Sequence, residues 1–234
     1  MTAGPEATAV IAAAGSGERL GADLPKALVE IAGRPMVAWS LDAFAGAATV
    51  GFVVIAAPPG RERELEALAP PQLAVSVVTG GAGRSHSVAL ALAEVEAGLV
   101  AIHDAARPLV SSALVDELVT ALASRPDLTG VIAAAPILDT VKRAAQARPG
   151  AGGGFTIAAT ENRDLLWAAQ TPQVFRIAAL REALAGDPDL LTIATDDAAL
   201  VERAGGSVLL HPSPATNLKV TTVADLRLAE SLLS

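Results

Sequence analysis

Near the start of the chain, Gly15-Ser-Gly-Glu-Arg-Leu-Gly21 is followed by Leu24-Pro25-Lys26. Glycines let backbone N–H groups approach an oxyanion closely, and Arg19 and Lys26 add fixed positive charge, so the loop suits a triphosphate. Two familiar phosphate loops do not match it. The dinucleotide fingerprint G-x-G-x-x-G needs its third glycine one residue earlier, and an acid at the end of the second strand, where Val54-Ile-Ala-Ala-Pro58 stands. The P-loop needs G-x-x-x-x-G-K-[ST], whereas Lys26 lies between Pro25 and Ala27. Taken alone, the segment reads equally as a glycine turn carrying surface cations.

Three further segments carry chemistry-bearing side chains. In His103-Asp-Ala-Ala-Arg107-Pro108, Asp104 suits a divalent cation and Arg107 a phosphate, though an acid after a strand also serves as a turn cap beside a paired arginine. Gly80-Gly-Ala-Gly-Arg-Ser-His-Ser87 offers free N–H groups and hydroxyls for a base or ribose, or simply a capped helix start. Arg163 and Thr171 lie between Thr160 and Gln173, and Lys219 follows the last strand. Arg19, Lys26, Arg107, Arg163 and Lys219 thus put five cations near predicted loop ends. His86, His103 and His211 lack metal-ligand spacing and read as structural, and no G-x-S-x-G elbow is present.

Short uncharged runs alternating with helical patterns must position these groups. Strands are predicted at Thr8–Ala14, Val50–Ala56, Ala74–Val78, Leu99–His103, Gly130–Ala135 and Val208–His211. Helices are predicted over Pro35–Ala45, Arg61–Leu68, Arg84–Glu96 and Ser112–Ser124, the last with a serine cap and one apolar face of Leu114, Val115, Leu118, Val119 and Leu122. Thr222-Val-Ala-Asp225 resembles a capping box opening a final helix. The pattern implies an α/β, Rossmann-like fold: a mostly parallel sheet with helices on both faces and ligands beyond the carboxyl ends of its strands. The chain reads as one domain over 1–234. Within it, 138–160 is a projecting β-hairpin arm with a Gly/Pro/Ala-rich centre, or else a loose surface insertion.

Composition narrows the function classes. With 52% apolar and only 3% aromatic residues, a large core must be built from Ala, Val, Leu and Ile. A net charge of −8 suits neither nucleic acid nor an anionic membrane as a partner. The absence of Cys excludes disulfides and thiol nucleophiles. Together with a start that lacks a basic leader, it leads to the expectation of a cytoplasmic protein. The uncharged stretch from Ala43 to Gly60 is long enough for a membrane span, but its glycines and prolines make it a helix end, a turn and a buried strand.

Taken in order from Ala12 to Thr221, seven motifs resemble the 2-C-methyl-D-erythritol 4-phosphate cytidylyltransferase family. They are A-A-A-G-S-G-x-R-L with P-K, G-G-x-x-R-x-x-S-V, H-D-A-A-R-P, D-T-x-K, N-R-x-x-L-W-x-A-x-T-P-Q, T-D-D and N-x-K-V-T. The resemblance implies CTP as donor, a polyol phosphate as acceptor, Mg2+ as cofactor and a homodimer locked by the arms. It implies that Arg19 and Lys26 stabilise the reacting triphosphate, and that Arg163 and Lys219 position the acceptor. The nucleotide would meet Ala13, Ala14, Gly15, Ser16, Gly17, Gly80, Ser87 and Ala105. The acceptor would meet Asp104, Arg107, Thr140, Arg163, Thr171 and Lys219, with Asp104 also at the metal. The family often carries an acid where Ala82 stands, and another near Thr216. Rival readings are the same chemistry on ribitol 5-phosphate or another sugar phosphate, and a non-catalytic nucleotide-binding domain.

Overall fold

The computed structural model describes residues 6–17, 20, 24–96, 98–146, 154–186 and 194–233. The first strand, β1 (Ala7–Ala12), is followed by a 3-10 turn (Lys26–Leu28), a small hairpin of β2 (Glu30–Ile31) and β3 (Arg34–Pro35), and helix α1 (Met36–Gly46). Then come β4 (Val50–Ala57), α2 (Glu62–Glu66), β5 (Ala74–Thr79), α3 (Arg84–Leu92), β6 (Leu99–Asp104), α4 (Ser112–Ala123) and β7 (Gly130–Pro136). The arm is β8 (Lys142–Ala144) paired with β9 (Ile157–Thr160). The chain closes with β10 (Trp167–Arg176), α5 (Ile177–Leu184), α6 (Asp197–Arg203), β11 (Val208–Pro212) and α7 (Val223–Leu233).

Seven strands form one sheet in the order β11-β7-β10-β6-β1-β4-β5. All neighbouring pairs are parallel except those made by β10, which runs antiparallel to both β6 and β7. Alternation along the strands divides the core into two layers. Ala9, Ile11, Val53, Ile55, Ala101 and Val131 face the layer holding buried residues of α1 and α4. Val10, Val54, Ala56, Val100, Ile102 and Ile132 face the layer holding those of α3, α5 and α6. Because both faces are covered, the central strands read as unbroken apolar runs. The few aromatics are used sparingly, and Phe44 and Phe175 are fully buried. Phe175 lies against Gly130, where a Cβ would come within 2.5 Å of its ring, so only glycine fits there.

The chain passes from β1 outward to β4 and β5, then returns to place β6 on β1's other side. That reversal opens a crevice at the carboxyl ends of β1 and β6. Register puts Ala12 beside Asp104, so the glycine loop and the acid leave the sheet together.

Most predicted elements are present with shifted ends. Ala43 to Gly60 is the end of α1, a turn and β4, and among the described residues no helix is long and apolar enough to cross a membrane. The Ser111 side chain caps α4 by accepting from Leu114 N, and Thr222 and Asp225 make the reciprocal capping contacts at α7. The helix from Arg84 ends at Leu92, and that near Arg61 spans only Glu62–Glu66. The larger difference is β10. Gln170-Thr-Pro-Gln173 gives it a polar, proline-bearing centre that reads as a loop, yet it lies between β6 and β7. A register shift between Ala169 and Gln173 accommodates Pro172.

Candidate active site

A cavity of about 760 Å3 lies at the crevice. One wall is the loop after β1. Lys26 N donates to Gly15 O at 3.0 Å and Leu20 N to Gly17 O at 2.8 Å, which folds the loop back on itself. Gly17 has φ +78°, and a Cβ there would press on the backbone of Lys26, so both its conformation and its space require glycine. Ala13, Ala14, Gly15, Ser16, Gly17 and Lys26 all line the cavity.

The second wall is the start of α3. Ser87 Oγ accepts from Gly81 N at 3.0 Å and donates to Gly83 O at 2.9 Å, tying down the turn from inside. Gly80 stands just behind the lining: a Cβ there would lie 2.5 Å from Ala14 Cβ, so its bareness lets the two walls meet.

The floor is Asp104 with Ala105, at the end of β6. Asp104 is 7% exposed. Its Oδ1 accepts from Arg84 Nε at 2.7 Å and its Oδ2 from Lys219 Nζ at 2.6 Å. Burial pushes the Asp104 carboxyl up, but Arg84 and Lys219 outweigh it and hold the group well below the usual carboxylate range. Lys219 sits on a loop secured from below. Val220 N donates to Ala106 O, and Asn217 Nδ2 donates to Gln170 Oε1 and Thr171 O.

Several expected site residues are used elsewhere within this chain. Arg107 is buried, with Nη1 on Asn217 O at 2.7 Å and Nη2 on Ala169 O at 3.3 Å; it braces β10 and the Lys219 loop from behind the cavity. Burial also disfavours its charged form. Thr171 is likewise buried. Its Oγ1 accepts from Asp104 N at 3.1 Å and pairs with His103 Nδ1 at 3.0 Å. Thr140 and Arg163 are exposed at the arm, Arg163 Nη1 donates to Leu138 O, and neither lines the cavity. Arg19 lies outside the described residues.

Two residues outside the expected site set join the Asp104 cluster. Arg84 lines the cavity and bridges Asp104 to Asp197, which is fully buried at the start of α6. The available signal was local misfit. A helix N-terminus favours acids, yet α3 opens with arginine.

Lys26, Arg84 and Lys219 around one acid make the cavity a site for an anion with several charges. Among the described lining residues there is no proton-transfer pair. His103 is fully buried behind the lining, and burial, opposed by Asp104, brings it down to about 4, leaving it neutral at pH 7. Among the described residues no three metal-ligating side chains come together. Among the described lining residues Asp104 is the sole carboxylate, and each of its oxygens keeps a lone pair beyond its cation. That donor set fits an Mg2+ carried by substrate phosphates, which takes one or two protein carboxylates, rather than a cage for a resident ion.

Residues 7–234 match the family model described as 2-C-methyl-D-erythritol 4-phosphate cytidylyltransferase. A protein of that description from Synechococcus elongatus is 42% identical over 229 residues, covering 96% of this chain and 94% of its own. The crystal structure of the Thermus thermophilus protein of that description has a TM-score of 0.74 at 33% identity, over 96% of this chain and 97% of its own. The bifunctional enzyme IspD/IspF of Rhodospirillum rubrum is 43% identical over 232 residues, and this chain spans 96% of itself but only 56% of that longer protein. With the family model matching nearly the whole length and the same fold in the solved structure, the chain belongs to the 2-C-methyl-D-erythritol 4-phosphate cytidylyltransferase family.

Proposed function

We propose that the chain transfers the cytidylyl group of CTP to 2-C-methyl-D-erythritol 4-phosphate, giving 4-diphosphocytidyl-2-C-methyl-D-erythritol and pyrophosphate for isoprenoid precursor synthesis. The observation that carries this reading, beside family membership, is the placing of Lys26, Arg84 and Lys219 around one cavity with the Gly15–Gly17 loop.

The acceptor's phosphate oxygen attacks the α-phosphorus and pyrophosphate leaves. A phosphate monoester has a second pKa of about 6, so the nucleophile is already ionised at neutral pH and no general base is required. Neutral His103, behind the lining, is consistent with that. The obstacle is bringing two anions together, so catalysis comes from orientation and fixed charge. Lys26 and the loop N–H groups hold the triphosphate, Ser87 and the α3 turn border the nucleoside, and Lys219 faces the acceptor. Arg19 belongs with Lys26 in this scheme. Asp104 would meet an Mg2+ carried by the phosphates, an ion that would supply neutralisation of their charge. Arg107 and Thr171 hold Asp104 and Lys219 in place.

The reading extends to a cytoplasmic homodimer. The arm and its base expose Leu138, Phe155, Ile157 and Leu165, apolar side chains that a second copy would cover. Arg163 lies beside them and off its own cavity, which supports its service at the partner's site. Thr140 lies on the same arm and goes with it.

The test is pyrophosphate release across a panel of acceptors and nucleoside triphosphates. CTP with the methylerythritol phosphate should be the fastest pair, with activity lost on EDTA and restored by Mg2+. Faster turnover of ribitol 5-phosphate would move the assignment to that acceptor, and indifference to EDTA would remove the metal.

A further inference from the structure

Arg84 lines the cavity without an assigned substrate contact, and the Thr195-Asp-Asp197 segment has no role yet. Arg84 is the first residue of α3, against the preference of a helix start. Its guanidinium is divided between two carboxylates, Nε to Asp104 Oδ1 and Nη1 to Asp197 Oδ2, both at 2.7 Å. Asp197 is fully buried, opens α6 and does not line the cavity. Asp104 Oδ2 meets Lys219 Nζ at 2.6 Å, with the lysine side chain 40% exposed. Four alternating charges therefore run from the interior to the cavity: Asp197, Arg84, Asp104, Lys219. Asp197 Oδ1 and Arg84 Nη2 are buried without a hydrogen-bond partner, and such incompletely satisfied networks are costly.

Lys219 has two calls on its charge: the carboxylate it holds now and the acceptor phosphate it would hold during turnover. The stronger Asp104's net pull, the less readily Lys219 turns to the phosphate. Arg84 weakens that pull by neutralising Asp104, and Asp197 competes with Asp104 for Arg84. We propose that Arg84 is a positioning residue that sets how firmly Asp104 holds Lys219, with Asp197 as the counterweight that sets Arg84's share. This rests on the reading of Lys219 as an acceptor-phosphate contact.

The two ends of the network then act with opposite sign. Arg84→Gln leaves Asp104 to Lys219 alone and should raise the acceptor KM by roughly three- to tenfold, a fraction of a charged hydrogen bond. Asp197→Asn releases Arg84 fully to Asp104 and should lower the acceptor KM by about twofold. Arg84→Lys, a point charge that cannot fork, should fall between wild type and Arg84→Gln. The KM for CTP should move less than the acceptor KM in all three. Steady-state kinetics at saturating CTP, with thermal melting to confirm folding, reads these values. The same changes are then made with Lys219→Ala, where the shifts in acceptor KM should vanish. If Arg84→Gln and Asp197→Asn both raise the acceptor KM, the network is a structural clamp and the proposal is wrong. Shifts that persist without Lys219 mark a general field effect and also overturn it. If Lys219→Ala leaves the acceptor KM unchanged, the acceptor role of Lys219 fails first, and the proposal with it. Should Arg84→Gln not fold, the sign of the Asp197→Asn shift decides.

Discussion

The cavity wall and the arm hold their charged residues in opposite ways. On the wall, Asp104 and Arg84 are packed between strands and helix starts and tied to partners at 2.6–2.7 Å. On the arm, Lys142 and Arg143 lie on an exposed two-stranded hairpin, and Arg163 is exposed beside its base. The wall builds its half of a site within one chain, because the sheet's reversal of strand order brings three loops together at one point. The arm has exposed apolar side chains and a cation away from the cavity, which is what the proposed dimer would cover. On the proposed function, one fold would supply a preorganised triphosphate cradle and an acceptor contact lent to a second copy.

The largest effect expected from this contrast is on the wall. Lys26→Ala should lower kcat by on the order of 10²–10³, since a preorganised charge is removed from the reacting phosphates. Near-normal kcat in that variant would return the lysine to a surface role and leave the wall without its distinguishing function.

The borrowed contact is tested by mixing. Lys26→Ala and Arg163→Ala enzymes should each be nearly inactive as homodimers. Equal mixing with subunit exchange gives half mixed dimers, each with one doubly defective site and one intact site. Activity should recover to roughly a quarter of wild type for an isologous dimer with independent sites. Confirmed exchange without recovery would place Arg163 in its own chain's site and end the contrast.

The sequence exposes the wall far better than what braces it. Gly15, Gly17, Lys26, Asp104 and Lys219 are legible because phosphate chemistry demands those types after strand ends, and the alternation of apolar runs dictates where strand ends lie. Arg107 and Thr171 are chemically suited to a phosphate, and nothing local reveals that backbone carbonyls and His103 claim them first. That depends on β10, whose polar centre hides a sheet position that only tertiary pairing supplies. The T-D-D motif includes Asp197, but its inward contact is hidden for a related reason. Asp197 follows Asp196, an ordinary N-cap that accepts from Ala199 N, and nothing in sequence shows that Asp197 turns inward to Arg84.

A final difference between the two regions is in pH. Behind the wall lies His103, fully buried, with Nδ1 toward the Thr171 hydroxyl and Nε2 toward Arg107 O and Ser40 Oγ. The arm, residues 138–160, contains no histidine. Burial brings His103 from 6.5 down to about 4, against the pull of Asp104 and with Arg107 and Arg84 adding to the fall. The sign follows from which state binds the proton. Between pH 6.5 and about 4 the unfolded chain protonates this histidine and the folded one does not, so stability falls as pH falls through that window. Below about 4 the folded form protonates too and the loss levels off. From pH 7 to pH 5 the expected loss is about 2 kcal/mol, at 1.36 kcal/mol per unit. Urea unfolding at several pH values in this range should show it, set against buried Asp197, whose carboxyl is pushed up by burial and whose protonation acts with the opposite sign. His103→Asn should be less stable at pH 7, having lost hydrogen bonds, but should show a much flatter pH dependence. Deleting the arm tip should leave the wild-type slope unchanged. An equal slope in His103→Asn would mean that another group on the wall takes up the proton, and that the imidazole is not what makes the wall sensitive to acid.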